Sequence, residues 1–429
     1  MVDTCIIGGG LAGLACALEL DRAGLSFQVL DADDRPGGRV QTDLFEGYRL
    51  DRGFQILLAA YPEAQRVLDY AALDLRDFEP GALVHARGGL HRMSDPLRRP
   101  GQALQTLLAP IGTLSDKIRL GLLSLSLRRG RARDLLHTPD GSTLEALREA
   151  GFSDGIIDGF LRPFVGGIQL DPDLEVSRRR FAIIFRMLSV GAACLPAKGM
   201  GQIPAQLAAR LPGGSLRSNT VAERIEGTTV HLTTGESIAA RTVVVATEGA
   251  GAARLLDIPK VPGRPASCMY FTADTPPFEG PLLVLEGETG PAKNLIVPSN
   301  LSREYAPTGR ALIAAALPGS LADGAPGISD DEDGAVHALR RQLRGWFGEA
   351  VDGWQHLRTY RIEHAHPDQR PPFEPKKPVS LDGGLYVCGD HRDTASIQGA
   401  LFSGWRTARA VARDLGEVPR ADSGREQAH

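Results

Sequence analysis

No apolar run in this chain approaches the roughly 20 residues a helix needs to cross a bilayer, which excludes a helical membrane span. Cysteine is scarce too. The five present, Cys5, Cys16, Cys194, Cys268 and Cys388, are odd in number and far apart, with no CxxC or Cys/His cluster. That excludes a disulfide framework and a structural zinc, so no metal site is expected and the thiols read as buried and free in a reducing compartment. An excess of either charge is missing as well: 48 Lys and Arg stand against 52 Asp and Glu, a net charge of −4 that gives no footprint for nucleic acid. Internal repeats and low-complexity tracts are absent. Tyrosine numbers only 7 while glycine reaches 50, a bias that follows base composition as readily as function. The first strand begins at once, which leaves no room for a signal or transit peptide and predicts a cytoplasmic protein, soluble or peripheral to the inner face of a membrane.

What is present is concentrated at the two ends. The 429 residues, 42% of them hydrophobic, suffice for two or three domains and a large core. A short apolar run, Val2 to Ile7, leads into Gly8-Gly9-Gly10-Leu11-Ala12-Gly13, an Ala/Leu-rich helical segment follows, and a second run, Phe27 to Leu30, ends at Asp31. This is a βαβ unit with a dinucleotide at its tip. Gly8 allows the tight turn, Gly10 lets the backbone approach a pyrophosphate, and Gly13 lets the helix pack closely on the strand. The amino end of the helix, at Leu11 and Ala12, faces the phosphates, and Asp31 with Ala32 stands where a carboxylate meets the ribose hydroxyls of the adenosine half.

The next stretch, Asp31-Ala32-Asp33-Asp34-Arg35-Pro36-Gly37-Gly38-Arg39, resembles the segment that follows the second strand in the flavin amine oxidase superfamily, which includes carotenoid (phytoene) desaturases and protoporphyrinogen oxidase. The resemblance implies FAD, bound non-covalently, with Gly38 and Arg39 along the pyrophosphate. Many relatives carry a basic residue where this chain has Asp33. Near the other end, Gly389-Asp390, followed by Ser396-Ile397-Gln398-Gly399-Ala400 and Ser403-Gly404, resembles the closing FAD motif of plant-type carotene desaturases, with a shorter loop between Asp390 and Ser396. Asp390 is then placed for ribitol hydroxyls. The helix starting near Ile397 points unpaired N–H groups at the flavin N1/C2 edge, which stabilises the reduced anion and raises its potential.

The same resemblance implies an α/β fold: a discontinuous Rossmann-type FAD domain with an inserted α+β substrate domain. FAD segments are expected at 1–74, 204–264 and 354–419, a mostly helical substrate segment at 75–203, a sheet segment at 265–353, and a disordered tail at 420–429. Gly53, Phe54 and Gln55 resemble the segment that passes beside the isoalloxazine ring, with an ordinary turn as the alternative. Val221 matches the position whose backbone holds adenine in relatives. Thr242 to Ala246 is a continuous apolar run, as a parallel strand buried on both faces requires.

One helix, capped by Ser115-Asp116 and running through leucines to Arg128, Arg129, Arg131 and Arg133, suits the headgroup region of an anionic membrane. It equally suits a substrate-domain helix with a solvated basic end. His364 and His366 are the candidate general bases by position, though an ordinary surface or core histidine is the commoner case. The amine oxidase branch usually shows an aromatic cage and a lysine near flavin N5. This chain offers Cys388 and His391 where one cage wall belongs, and no lysine in a matching segment. The leading expectation is therefore an FAD-dependent dehydrogenase or desaturase of an apolar, isoprenoid or tetrapyrrole-like molecule, passing electrons to a quinone or oxygen. Flavin amine oxidase is the enzymatic alternative, and a prenyl-binding escort protein of the same fold is the non-enzymatic one.

Overall fold

The computed structural model describes residues 1–96, 98–129, 132–319 and 331–417. Arg131, the side chain of Arg133 and the expected tail at 420–429 lie outside the described residues. Five helices position the site: α1 (Leu11–Arg22), α2 (Ala103–Leu108), α3 (Leu114–Arg129), α4 (Arg178–Val190) and α5 (Ile397–Asp414).

The first of two seven-stranded sheets runs in the order Leu216–Arg217, Phe27–Leu30, Val2–Ile7, Ser237–Val245, Thr229–Leu232, Ala222–Glu226, with Leu385–Val387 also paired to Ser237–Val245. Its central pairs are parallel, and Val243, Val244 and Val245 are fully enclosed, which is why that stretch carries no polar alternation. One face of the sheet is covered by α1 and α5 together. Helix α1 is apolar nearly all round because it lies between the sheet and α5. Two glycines permit these approaches: a β-carbon at Gly13 would collide with the Gly8 carbonyl oxygen, and one at Gly404 with that of Ala12.

The second sheet runs Gln355–Pro367, Gly263–Ala273, Ala311–Pro318, Asn294–Ile296, Leu283–Glu286, Gly81–Ala86, Gly89–Ser94. One face packs on the helix Glu332–Phe347 through Met269, Phe271, Leu295 and Ile313, and the other joins the large core shared with the helical insertion.

Two expected boundaries are corrected. The segment 75–203 is not mostly helical at its start, because Gly81–Ala86 and Gly89–Ser94 form a hairpin that adds to the second sheet. Its turn, Arg87-Gly88, has both residues at positive φ, 51° and 72°, the geometry that matches strand twist in a two-residue loop. Likewise 354–367 is not part of the nucleotide domain: Gln355–Pro367 is the polar, half-buried edge strand of the second sheet, antiparallel to Gly263–Ala273. The cap of α3 is also displaced. Thr113 Oγ1 accepts from the Asp116 N–H, while the buried Asp116 carboxylate accepts from the N–H of Thr113 and of Ser153. Burial opposes ionisation of Asp116, but those donors win and hold its carboxyl well below the usual range.

Candidate FAD and substrate site

A single cavity of about 1160 Å³ lies between the two sheets and the helical insertion. One arm is backbone and charge. Gly8, Gly10, Leu11 and Ala12 form its end, where α1 begins at Gly10 with no side-chain cap, so the N–H groups of the first turn open into the cavity. A β-carbon on Gly10 would meet nothing within 4 Å, leaving room for a ligand against the backbone. Asp31, Ala32, Gly38, Arg39 and Val221 continue the wall. Asp31 Oδ2 accepts from the Gly9 N–H at 2.6 Å and Oδ1 from the Asp33 N–H at 2.8 Å, so the carboxylate shapes the turn and keeps lone pairs for ribose hydroxyls. Burial pushes its pKa up. The Val221 carbonyl already accepts from the Thr233 N–H.

At the middle of the cavity the chain's two ends meet. Arg39 Nη2 donates to Asp390 Oδ1 at 2.7 Å and Nη1 to the Ala365 carbonyl at 2.6 Å, joining the first nucleotide segment, the edge strand and the closing motif. Burial alone would raise the Asp390 pKa, but the Arg39 guanidinium holds it below the usual carboxylate range. Gly53, Phe54, Gln55, Gly389, Ser396 and Ile397 line this part. Gln55 donates to the Arg39 carbonyl, while its buried Oε1 has no partner and is an acceptor available to a ligand. Ser396 caps α5, whose N-terminal turn faces the cavity. A glycine-lined helix start, a cavity-facing acid and an orphaned acceptor fit an extended, hydroxyl-rich dinucleotide.

Gly13 serves the helix–strand packing expected of it and lies off the wall, while one expected contact is corrected: the Gln398 side chain accepts from the Glu63 N–H instead of facing the cavity. Nor do Cys388 and His391 form a cage wall. Cys388 is fully enclosed in the core under α1 and α5, and His391 is buried beside Gly389 and Gly249, away from the cavity.

His364 and His366 both line the cavity. For His366, burial first, then the Arg180, Arg39 and Arg264 cations, pull the pKa to about 3 despite Asp390. At neutral pH it is a hydrogen-bonding group and far too weak a base for efficient proton abstraction, which corrects its expected role.

Sequence reasoning missed Arg180. It is buried on α4 and on the cavity wall, donates to the Ala395 carbonyl, and its Nη1 has no hydrogen-bond partner, with the Tyr61 hydroxyl beside it. Its only signal was the run Arg178-Arg179-Arg180.

The other arm is apolar, walled by Phe54, Phe78, Met93, Phe160, Phe164 and Phe185. Phe160 and Phe164 sit one above the other, 5.5 Å apart, on a wide i→i+5 turn over Ile157–Gly166, a departure from α geometry that recurs at functional sites. Its wall reaches the surface at Leu107 of α2 and Ile118 of α3, 46% and 55% exposed.

The sequence pattern of the flavin containing amine oxidoreductases matches residues 11–412. The chain belongs to that family, and its cofactor is FAD. A coproporphyrinogen III oxidase of Propionibacterium freudenreichii subsp. freudenreichii is 30% identical over 172 residues, 38% of this chain and 31% of the relative. A phytoene desaturase of Cercospora nicotianae is 32% identical over 90 residues, 20% of this chain and 14% of the relative. The chain thus spans at most about a third of the length of these relatives. The solved structure of a cyclohexylamine oxidase from Brevibacterium oxydans superposes with a TM-score of 0.71 at 17% identity, over 97% of this chain and 99% of that one. That likeness carries the α/β fold.

A pH effect follows from His391. Burial first, then Arg392, Arg39 and Lys377, lower its pKa to about 4 against the pull of Asp390, and neither ring nitrogen has a partner. The unfolded chain binds the proton first. The stability tied to neutral His391 is therefore full above about pH 6.5 and lost as pH falls toward 4, about 2 kcal/mol by pH 5. Thermal unfolding at pH 7 and pH 5 is expected to show a smaller drop for His391→Gln than for the wild type. Equal drops would refute it.

Proposed function

We propose that the protein is an FAD-dependent dehydrogenase of an apolar, isoprenoid or tetrapyrrole-like substrate. The observation that carries this reading is the continuity of the cavity, which joins a dinucleotide-shaped arm to an arm walled by phenylalanines and Met93. Bound FAD supplies the two-electron acceptor. The protein's part is to hold a C–H bond in place and keep water out, which the apolar arm does by shape. Among the described residues, the one lysine on the wall is Lys117, and its Nζ is committed to the Leu107 and Ala109 carbonyls at the cavity mouth. With the buried Arg180 cation also on the wall, a protonated amine meets like charge rather than a cage.

No cysteine lies on the described wall, which supports non-covalent binding. Acid precipitation should leave the yellow colour in the supernatant. Anaerobic bleaching of the holoenzyme by carotenoid, squalenoid, porphyrinogen and amine compounds tests the substrate class. Bleaching by one of the apolar compounds supports the proposal; rapid bleaching by a water-soluble amine alone replaces it with amine oxidase.

A further inference from the structure

The mouth of the apolar arm is itself apolar on its outer side. Of ten exposed large hydrophobic side chains among the described residues, six fall on α2 and α3: Leu104, Leu107, Leu108, Leu114, Ile118 and Leu122, each between 46% and 74% exposed. Their spacing puts Leu104, Leu107 and Leu108 on one face of α2, and Leu114, Ile118 and Leu122 in one stripe along α3. Leu107 and Ile118 belong to the cavity wall as well, so they form its rim. The Lys117 bridge to the carbonyls at the end of α2 fixes the two helices as one platform.

Charge on the platform itself has one sign. Between residues 96 and 129 the single acid is Asp116, buried and committed to Thr113 and Ser153, whereas Arg98, Arg99 and Arg129 are exposed. Leucines ringed by arginines, with no exposed carboxylate among them, match an anionic lipid surface: the side chains enter the acyl boundary while the guanidiniums meet headgroup phosphates. A second copy of the chain would bring the same cations face to face across a two-fold axis.

We propose that α2 and α3 dock the protein on the surface of an anionic bilayer, seating the cavity mouth in the headgroup region so that substrate passes from lipid to the apolar arm without crossing water. The passage rests on the substrate class proposed above; the docking does not.

The test is flotation of the purified holoenzyme with vesicles of phosphatidylglycerol and phosphatidylcholine, without substrate. Binding is expected to phosphatidylglycerol vesicles at low salt, weakening as salt rises, with much weaker binding to phosphatidylcholine alone. The combined variant Leu108→Asp, Leu114→Asp, Leu122→Asp, none of them on the cavity wall, should lower binding at least tenfold with unchanged FAD content. Leu44→Asp, at an equally exposed leucine elsewhere, should bind as the wild type does. Absence of wild-type binding at low salt, or binding retained in the combined variant, overturns the proposal. So does a concentration-dependent dimer abolished by the combined variant, which assigns the platform to self-association. Bleaching of the flavin by soluble amines reads the substrate class separately, whatever the vesicles show.

Discussion

Arg39→Ala is expected to strip FAD from the protein and to destabilise what remains. The guanidinium has two tasks: it offers positive charge to the cofactor anion, and it neutralises Asp390, which is 4% exposed. Removing one partner strands the other charge, at a cost of roughly 2–4 kcal/mol, somewhat under the range for a fully enclosed pair because Arg39 also faces the cavity. Lysine should not rescue, since a point charge cannot span Asp390 and the Ala365 carbonyl as the guanidinium fork does. The double variant Arg39→Met, Asp390→Asn separates the two tasks: stability should return in large part, FAD should not. Denaturant unfolding and flavin absorbance per chain measure both. Wild-type FAD content in Arg39→Ala would remove this residue from the cofactor site.

Arg180→Met is expected to lower the reduction potential of the bound cofactor with little loss of fold. Arg180 adds a desolvated cation at the end of the cavity where the α5 amino terminus already favours negative charge. A charge aimed at a site of developing charge contributes about 1–3 kcal/mol, which for a two-electron couple is about 20–60 mV. Spectroscopic titration against a reference dye reads the shift, and Arg180→Lys should restore part of it. An unchanged potential would leave Arg180 a packing residue only.

Much of this site was readable in the sequence, for a physical reason. The nucleotide arm is made by short local patterns: Gly8 to Gly13, Asp31, Gly38-Arg39, Gly389-Asp390 and Ser396 each specify a turn or a helix start, and those fold much the same in any context. The misreadings share the opposite property. Strand Gln355–Pro367 is polar and half-buried because it is an edge, and only its partner Gly263–Ala273 shows to which sheet it belongs. The hairpin at Gly81–Ser94 was hidden because its left-handed turn begins with Arg87, an uncommon residue there. Arg180 was invisible for a further reason. Nothing in an arginine run says which member is turned inward, and that is decided by the meeting of α4 with the loop at Ala395. His364 and His366 were correctly placed on the wall, but the cations that keep His366 neutral, Arg39, Arg180 and Arg264, come from three distant segments.

The seat of α1 on α5 has a consequence for synthesis. One helix lies in the first two dozen residues and the other begins at residue 397, yet neither can be covered without the other. At about 5–20 residues per second, the first helix leaves the ribosome tens of seconds before its partner, with an apolar flank bare for the whole interval. Gly404 and Asp390 arrive last, so the nascent chain cannot close around its nucleotide however much FAD the cell holds. Cofactor loading therefore waits for residues 390–404, and the flank of α1 stays bare until they arrive.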